Sequence, residues 1–345
     1  MPVTVPLEPV QRPALLPSAR GSRAQAADPR LRPLMRGFAY RPDPSAPLWQ
    51  QALSASLARC EGAWRSTPTA TALCGLSAAL VLGLWVGPTE PDVHLLMPTR
   101  PGRSCLTLPA VSFTDPRSGH QLPGRADVRL RKHNRGLEPR QLSVCDGLTV
   151  TSLLRTALDC AFDEPARVSL PVLDSAVRAL VKPDRFSPQA SAHTWKTVRR
   201  QLVEGVAAQG ARRGARRARL VARLASPLSE SHGESVLRWQ VAALGLPAPV
   251  EQQRVEVGGR TYFLDLGWPW LRAGAEYDGT GKYGQVRAAW EEKTRQDRIR
   301  QQAGVELYRF TSRHLADPGL LRHDVLEIFP PKVVSRARPV ALLGG

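Results

Sequence analysis

Gly258-Gly259 stands between two runs that alternate as strands do, residues 253–257 and 260–266. A Gly-Gly link between such runs specifies a tight antiparallel hairpin, because its turn needs positive φ at positions where side chains are strained. The hairpin limits what its neighbours can be. Residues 229–246 read as a helix, with Leu237, Val241 and Leu244 stacked on one side. Trp268-Pro269-Trp270 turns the chain into a third strand over 273–278, which Gly279 ends. Residues 286–303 read as a long amphipathic helix and 305–310 as a fourth strand. The order over 227–330 is helix, three strands, helix, strand, within an α+β multi-domain chain.

Acids fall at informative places in that order. Glu234 lies on the first helix, Asp265 near the end of the second strand and Glu276 on the third. Asp278 shares a face with Glu276 by the strand's period of two. A carboxylate among apolar strand residues, as in Phe263-Leu264-Asp265-Leu266, is costly to bury unless it is paired or bound to metal. Carboxylates converging from adjacent elements suit a hard cation, Mg²⁺ or Mn²⁺, that keeps waters and leaves room for a phosphodiester oxygen. Each residue also has a plainer reading. Ser231 with Glu234 three residues on fits a capping box. Asp265, two residues before Gly267, fits a turn, and Glu276 fits an ion pair with Lys282 or Arg295. The combination with the element order favours the site.

Charge is distributed unevenly. Of 48 basic and 30 acidic residues, residues 1–226 hold 32 and 16, a balance of +16, whereas 227–330 hold 13 and 14, a balance of −1. The total of +18 points to a polyanionic partner, nucleic acid before membrane. In 196–223, Lys196, Arg199, Arg200, Arg212, Arg213, Arg216, Arg217, Arg219 and Arg223 face one acid, Glu204. That stretch reads equally as a solvated helical connector or as a contact to DNA phosphates, with salt-sensitive binding.

The remaining segments are less specific. Residues 34–40 read as one short strand, 49–63 and 70–83 as helices, 93–97 as a strand, and 153–161 as a capped helix. Short β-like pieces occupy 107–113, 126–131 and 142–144. Residues 70–86 are nearly continuous in apolar or small side chains, but Gly75, Ser77 and Gly83 interrupt them, so a buried helix is preferred to a membrane span. The start lacks a basic stretch followed by an apolar core, and the five cysteines have no C-x-x-C spacing. Both features suit reduced thiols and a cytoplasmic protein. The histidines show no H-x-H or H-E-x-x-H pattern and read as surface residues. Arg155 and Asp159, four apart on one helix, read as a structural ion pair.

On these residues the chain resembles known families. The αβββαβ order with Glu234, Asp265 and Glu276 is similar to the PD-(D/E)XK nuclease core. The strings Ala275-Glu276-Tyr277-Asp278-Gly279 with Lys282-Tyr283, Trp290-Glu291-Glu292-Lys293-Thr294-Arg295-Gln296-Asp297 and Gly304-Val305-Glu306-Leu307-Tyr308-Arg309-Phe310 resemble its very-short-patch-repair-like endonuclease branch. The resemblance implies that Glu234, Asp265 and Glu276 hold Mg²⁺ for DNA hydrolysis. It places a lysine two residues after the strand-three acid; here that residue is Asp278, which leaves Lys282 or Lys293 to supply the ammonium. Met35-Arg36-Gly37-Phe38-Ala39-Tyr40, residues 77–84, Val93-His94-Leu95-Leu96-Met97-Pro98 and residues 147–159 resemble AbiEi-type antitoxins and regulators. That resemblance implies a winged helix at the start, a partner toxin, and, as the alternative function, a DNA-binding regulator with an inactive nuclease fold. The expected divisions are a degenerate winged-helix-like or helical region at 1–90, a small α+β region at 91–160, a basic connector at 161–226, the nuclease-like domain at 227–330 and a tail at 331–345.

Overall fold

The computed structural model describes residues 15–17, 31–279 and 298–344. The fold is α+β, with several separate sheets. The chain divides into two compact units, Met1–Cys160 and Ala161–Gly345.

In the first unit, β1 (Leu15–Pro17), β2 (Arg32–Met35) and β3 (Phe38–Tyr40) form an antiparallel sheet in the order β1-β3-β2. Residues 34–40 are therefore the core of a hairpin rather than one strand. Gly37, at φ 84°, makes the turn. The helices of a winged helix expected before Leu34 fall outside the described residues, apart from β1, which is a strand. Helix α1 (Leu48–Ser66) buries Ala55, Leu57, Ala58, Cys60 and Ala63.

The expectation of a single helix over 70–83 is corrected by the structure. β4 (Ala72–Leu73) pairs with the following strand, and α2 (Gly75–Val81) begins only after it. The reason is local: Cys74 N–H donates to His94 O at 3.1 Å, as a sheet residue would, and Gly75 takes φ 52° at the junction. All of α2 is buried. No described helix is long and apolar enough to cross a membrane.

β5 (Val93–Met97), β6 (Cys105–Thr107), β9 (Arg129–Asn134), β10 (Leu142–Cys145) and β11 (Leu148–Thr151) complete a six-stranded mixed sheet with β4. Its order is β10-β11-β4-β5-β9-β6, and β5 and β9 run parallel. β7 (Ser112–Thr114) and β8 (Gln121–Pro123) form a separate hairpin. His94, expected at the surface, is buried in β5 and stacks on His133 of β9. Helix α3 (Leu153–Asp163) carries the expected Arg155–Asp159 pair at 3.1 Å, both side chains buried. All five cysteines are thiols rather than disulfide halves.

In the second unit, α4 (Ala166–Val181), α5 (Ala192–Ala208) and α6 (Ala215–Leu224) precede α7 (His232–Ala243). Residues 161–226 are not merely a connector, because they share a core with the C-terminal segment. Asp174 of α4 is fully buried and binds Arg238 of α7, whose Nε lies 3.3 Å from Glu251. Burial pushes the Asp174 and Glu251 carboxyls up, and the Arg238 charge opposes this. Removing one partner of such a buried set costs about 3–5 kcal/mol.

β12 (Val250–Val257), β13 (Arg260–Trp268), β14 (Ala273–Asp278) and β15 (Glu306–Thr311) form a sheet in that order. The first two pairings are antiparallel and the last is parallel. Gly258 and Gly259 take φ 57° and 75°, as the hairpin requires. Val255, Val257, Leu264, Ile299 and Val305 share one core cluster. Most of the helix expected over 286–303 lies outside the described residues; its end, Ile299–Ala303, is a π-type turn stopped by Gly304 at φ 62°. Short helices α8 (Ser312–Ala316) and α9 (Pro318–Glu327) follow β15.

Candidate functional site

The site is built where α7 begins and where β13 and β14 part. Ser231 caps α7: its Oγ accepts the Glu234 N–H at 3.2 Å and donates to Glu234 Oε1 at 2.8 Å. Glu234 Oε2 accepts the Glu230 N–H at 2.8 Å. Ser231 therefore caps the helix as expected, but the Glu234 carboxylate reaches back to the N–H of Glu230 rather than that of Ser231, so only half of the capping box forms. These bonds fix where this buried carboxylate stands. Burial pushes its carboxyl up, against the pull of those two hydrogen bonds.

Between β13 and β14 the register runs Trp268↔Ala273, Gly267↔Gly274 and Leu266↔Ala275, and there the ladder stops. The next positions on the same count are Asp265 and Glu276. Asp265 Oδ2 accepts the Tyr277 N–H at 2.9 Å, so a carboxylate stands in for the missing ladder acceptor. Its pKa is pushed up to about 8, first by desolvation, then by the negative charge of Glu234, with lesser contributions from Glu276 and Glu230. Glu276 is buried. Asp265 thus senses the charge of both other acids singled out from sequence. Glu230, a fourth, is held 3.1 Å from Arg178 and is bonded to Arg185.

The helix reaches this close to the strand because of Gly233. A Cβ there would stand 2.3 Å from the Tyr277 ring, so only glycine lets α7 lie against β14 at this point. Asp278 accepts an ion pair from Arg309 at 2.8 Å, and Arg309 sits opposite Glu276 in the β14–β15 register. A guanidinium is therefore paired with Asp278, two residues after Glu276. Lys282 and Lys293, the expected sources of an ammonium, lie outside the described residues, as does Arg295.

Gln252 is a residue to which no sequence signal points, since glutamine is no turn former. In β12, Glu251↔Leu266 and Gln253↔Leu264 are paired, while Gln252, opposite Asp265 on the same count, takes φ 48° and leaves the ladder. Its Oε1 and Nε2 are buried without a hydrogen-bond partner among the described residues. A non-glycine residue in left-handed backbone is strained and concentrates at functional sites.

Among the described residues, no three side chains from His, Cys, Asp and Glu gather closely enough to hold an ion. Both Glu234 oxygens accept hydrogen bonds at the start of α7. Mg²⁺ takes one or two carboxylates and retains waters, so the donor chemistry of Asp265 and Glu276 suits it without a third acid.

The arginines expected to hold DNA divide into two sets. Arg212 pairs with Asp163 at 2.7 Å and lies over the Phe162 ring, 4.6 Å from its centroid. Arg217 Nη2 donates to Phe162 O at 2.6 Å. These two have structural work. Arg199, Arg200, Arg213, Arg216 and Arg219 are exposed, with Arg200 4.0 Å from Glu204.

No protein-family profile matches the chain, and no curated protein matches it. Among solved structures, JHP933 from Helicobacter pylori is similar at 14% identity, over 51% of this chain and 88% of that one, with a TM-score of 0.24. A superposition of that quality fixes neither fold nor function.

Proposed function

We propose that residues 227–330 carry a metal-dependent phosphodiesterase site of the endonuclease kind, acting on DNA that the basic residues of the chain attract. One observation carries this reading: Asp265, held at the parting of two strands, has its carboxyl pushed up to about 8 by desolvation and by surrounding acids. A divalent cation bound there would offset both the desolvation of the Asp265 carboxylate and the charge of its acidic neighbours. Asp265 and Glu276 would hold it, and when bound it supplies positive charge to phosphoryl oxygens and acidifies water. Glu234 fixes the start of α7 beside them. Arg309, opposite Glu276 and paired with Asp278, would supply the nearby positive charge for the phosphate.

The test is cleavage of supercoiled plasmid with Mg²⁺ or Mn²⁺ by the wild type, Asp265→Ala and Glu276→Ala. Cutting by the wild type and a loss of about a hundredfold or more in both variants is the expected result. Equal cutting by all three overturns the reading.

A second reading has its own support. Asp278 stands where the nuclease resemblance calls for lysine, and Arg309 is bound to it. A DNA-binding regulator, paired with a toxin as the AbiEi resemblance implies, would retain salt-sensitive binding and cut nothing. Binding without cleavage in the wild type selects this second reading.

A further inference from the structure

In the first unit, a cavity of about 500 Å³ opens where the parallel strands β5 and β9 end, at Met97 and Asn134. Arg100, Ser104, Lys132, His133, Asn134 and Arg135 contribute to its lining, and among the described residues no acid does. The carboxyl ends of parallel strands are where open α/β sheets hold ligands, and the volume lies within the usual small-ligand range of about 300–1,000 Å³.

The cavity's charge is held in place from behind. Asp159, buried in α3, is shared between Arg155 at 3.1 Å and Arg135 at 3.4 Å. One carboxylate thus serves two guanidiniums and holds Arg135 at the cavity wall. Arg155 is pinned further by Gly136 O at 3.0 Å and Gln141 Oε1 at 2.9 Å. Arg135 Nη2 lies 3.3 Å from His133 Nδ1. A guanidinium has only donors, so His133 Nδ1 accepts and the ring proton sits on Nε2. That N–H donates to His94 Nδ1, 3.0 Å away, with the two rings stacked at 5.1 Å and 7° apart. A relay of two imidazoles, the inner one buried, orients a cavity-lining guanidinium. The backbone beneath the cavity is tied as well, since the Lys132 backbone N–H donates to Ser104 O at 2.8 Å and the Asn134 side-chain amide donates to Met97 O at 3.1 Å.

We infer that this cavity binds the phosphate monoester of a nucleotide, free or at the end of a nucleic-acid strand. Arg100, Lys132 and Arg135, with the Ser104 hydroxyl, match a dianionic group with three acceptor oxygens. The site lies in the other unit from Asp265 and is independent of the phosphodiesterase reading.

Calorimetric titration of the full chain would use AMP, adenosine, and a short DNA strand with and without a 5′-phosphate. The phosphorylated probe should bind at least about tenfold tighter than its unphosphorylated counterpart. Arg100→Ala and Lys132→Ala should each weaken it by about tenfold, whereas the exposed Arg322→Ala, with the same change in charge, should not. Arg100 is exposed, so its variant spares the fold. Binding of AMP alone assigns a free nucleotide, and binding of the 5′-phosphorylated strand alone assigns a strand end. Probes that bind regardless of phosphate, no binding at all, or equal losses in Arg100→Ala and Arg322→Ala overturn the inference.

Discussion

Asp265 ionises near 3.9 in an unfolded chain and at about 8 in the folded one. Between those values the folded state holds a proton that the unfolded state has lost. Stability is therefore present in full below the unfolded value and declines as pH rises through about 8. In chelator, the wild-type Tm should fall from roughly pH 4 to 9 more steeply than that of Asp265→Asn, which keeps the shape without the charge. Mg²⁺ should recover wild-type Tm at the alkaline end by binding the folded state, and leave the variant unchanged. Coincident pH profiles for the two proteins would mean that Asp265 is not under that strain. The sequence makes this residue visible because a lone carboxylate flanked by Leu264 and Leu266 cannot be buried without a reason. It carries no sign of Gln252, whose left-handed backbone interrupts the β12–β13 ladder between two paired positions.

At the scale of elements, the packing of α7 on β14 depends on a side chain that is absent. Gly233→Ala brings two opposing effects. Alanine favours a helix over glycine by about 1 kcal/mol, while its Cβ would lie 2.3 Å from the Tyr277 ring. Forcing atoms into a filled space costs about 1–3 kcal/mol, so the clash wins. Urea unfolding should show a net loss of stability, and cleavage should fall further than stability does, because Glu234 and Tyr277 both move. A gain in stability would show that the helix can shift freely. The hairpin around Gly258-Gly259 and the strand at 273–278 are readable because turn glycines and alternation are local signals. The break at Gly75 is not: the backbone of residues 72–74 pairs with β5, and that pairing overrides a run of helix-favouring residues. Likewise, composition marks residues 161–226 as basic, but tertiary bonds such as Asp174 with Arg238 and Arg178 with Glu230 are what join them to the segment that carries the acids.

For the molecule as a whole, charge and packing compete for the same arginines. A balance of +16 in residues 1–226 would favour a polyanionic partner, but charge already committed to internal partners contributes less to binding one. Arg212 and Arg217 are committed to Asp163 and the Phe162 carbonyl, whereas Arg213, Arg216 and Arg219 are exposed. Each phosphate left without its arginine should flatten the slope of log K against log salt by about 0.9. Replacing Arg213, Arg216 and Arg219 together by glutamine should therefore lower the slope for duplex binding by up to about 2.7 while leaving Tm within a few degrees of wild type. Arg212→Gln should do the reverse, lowering Tm because its partly buried ion pair and ring stacking disappear, with little change in slope. The two measurements separate a surface that meets DNA from one that only closes the fold. An unaltered slope in the triple variant would move the DNA interface off α6 and leave its arginines as a solvated helix face.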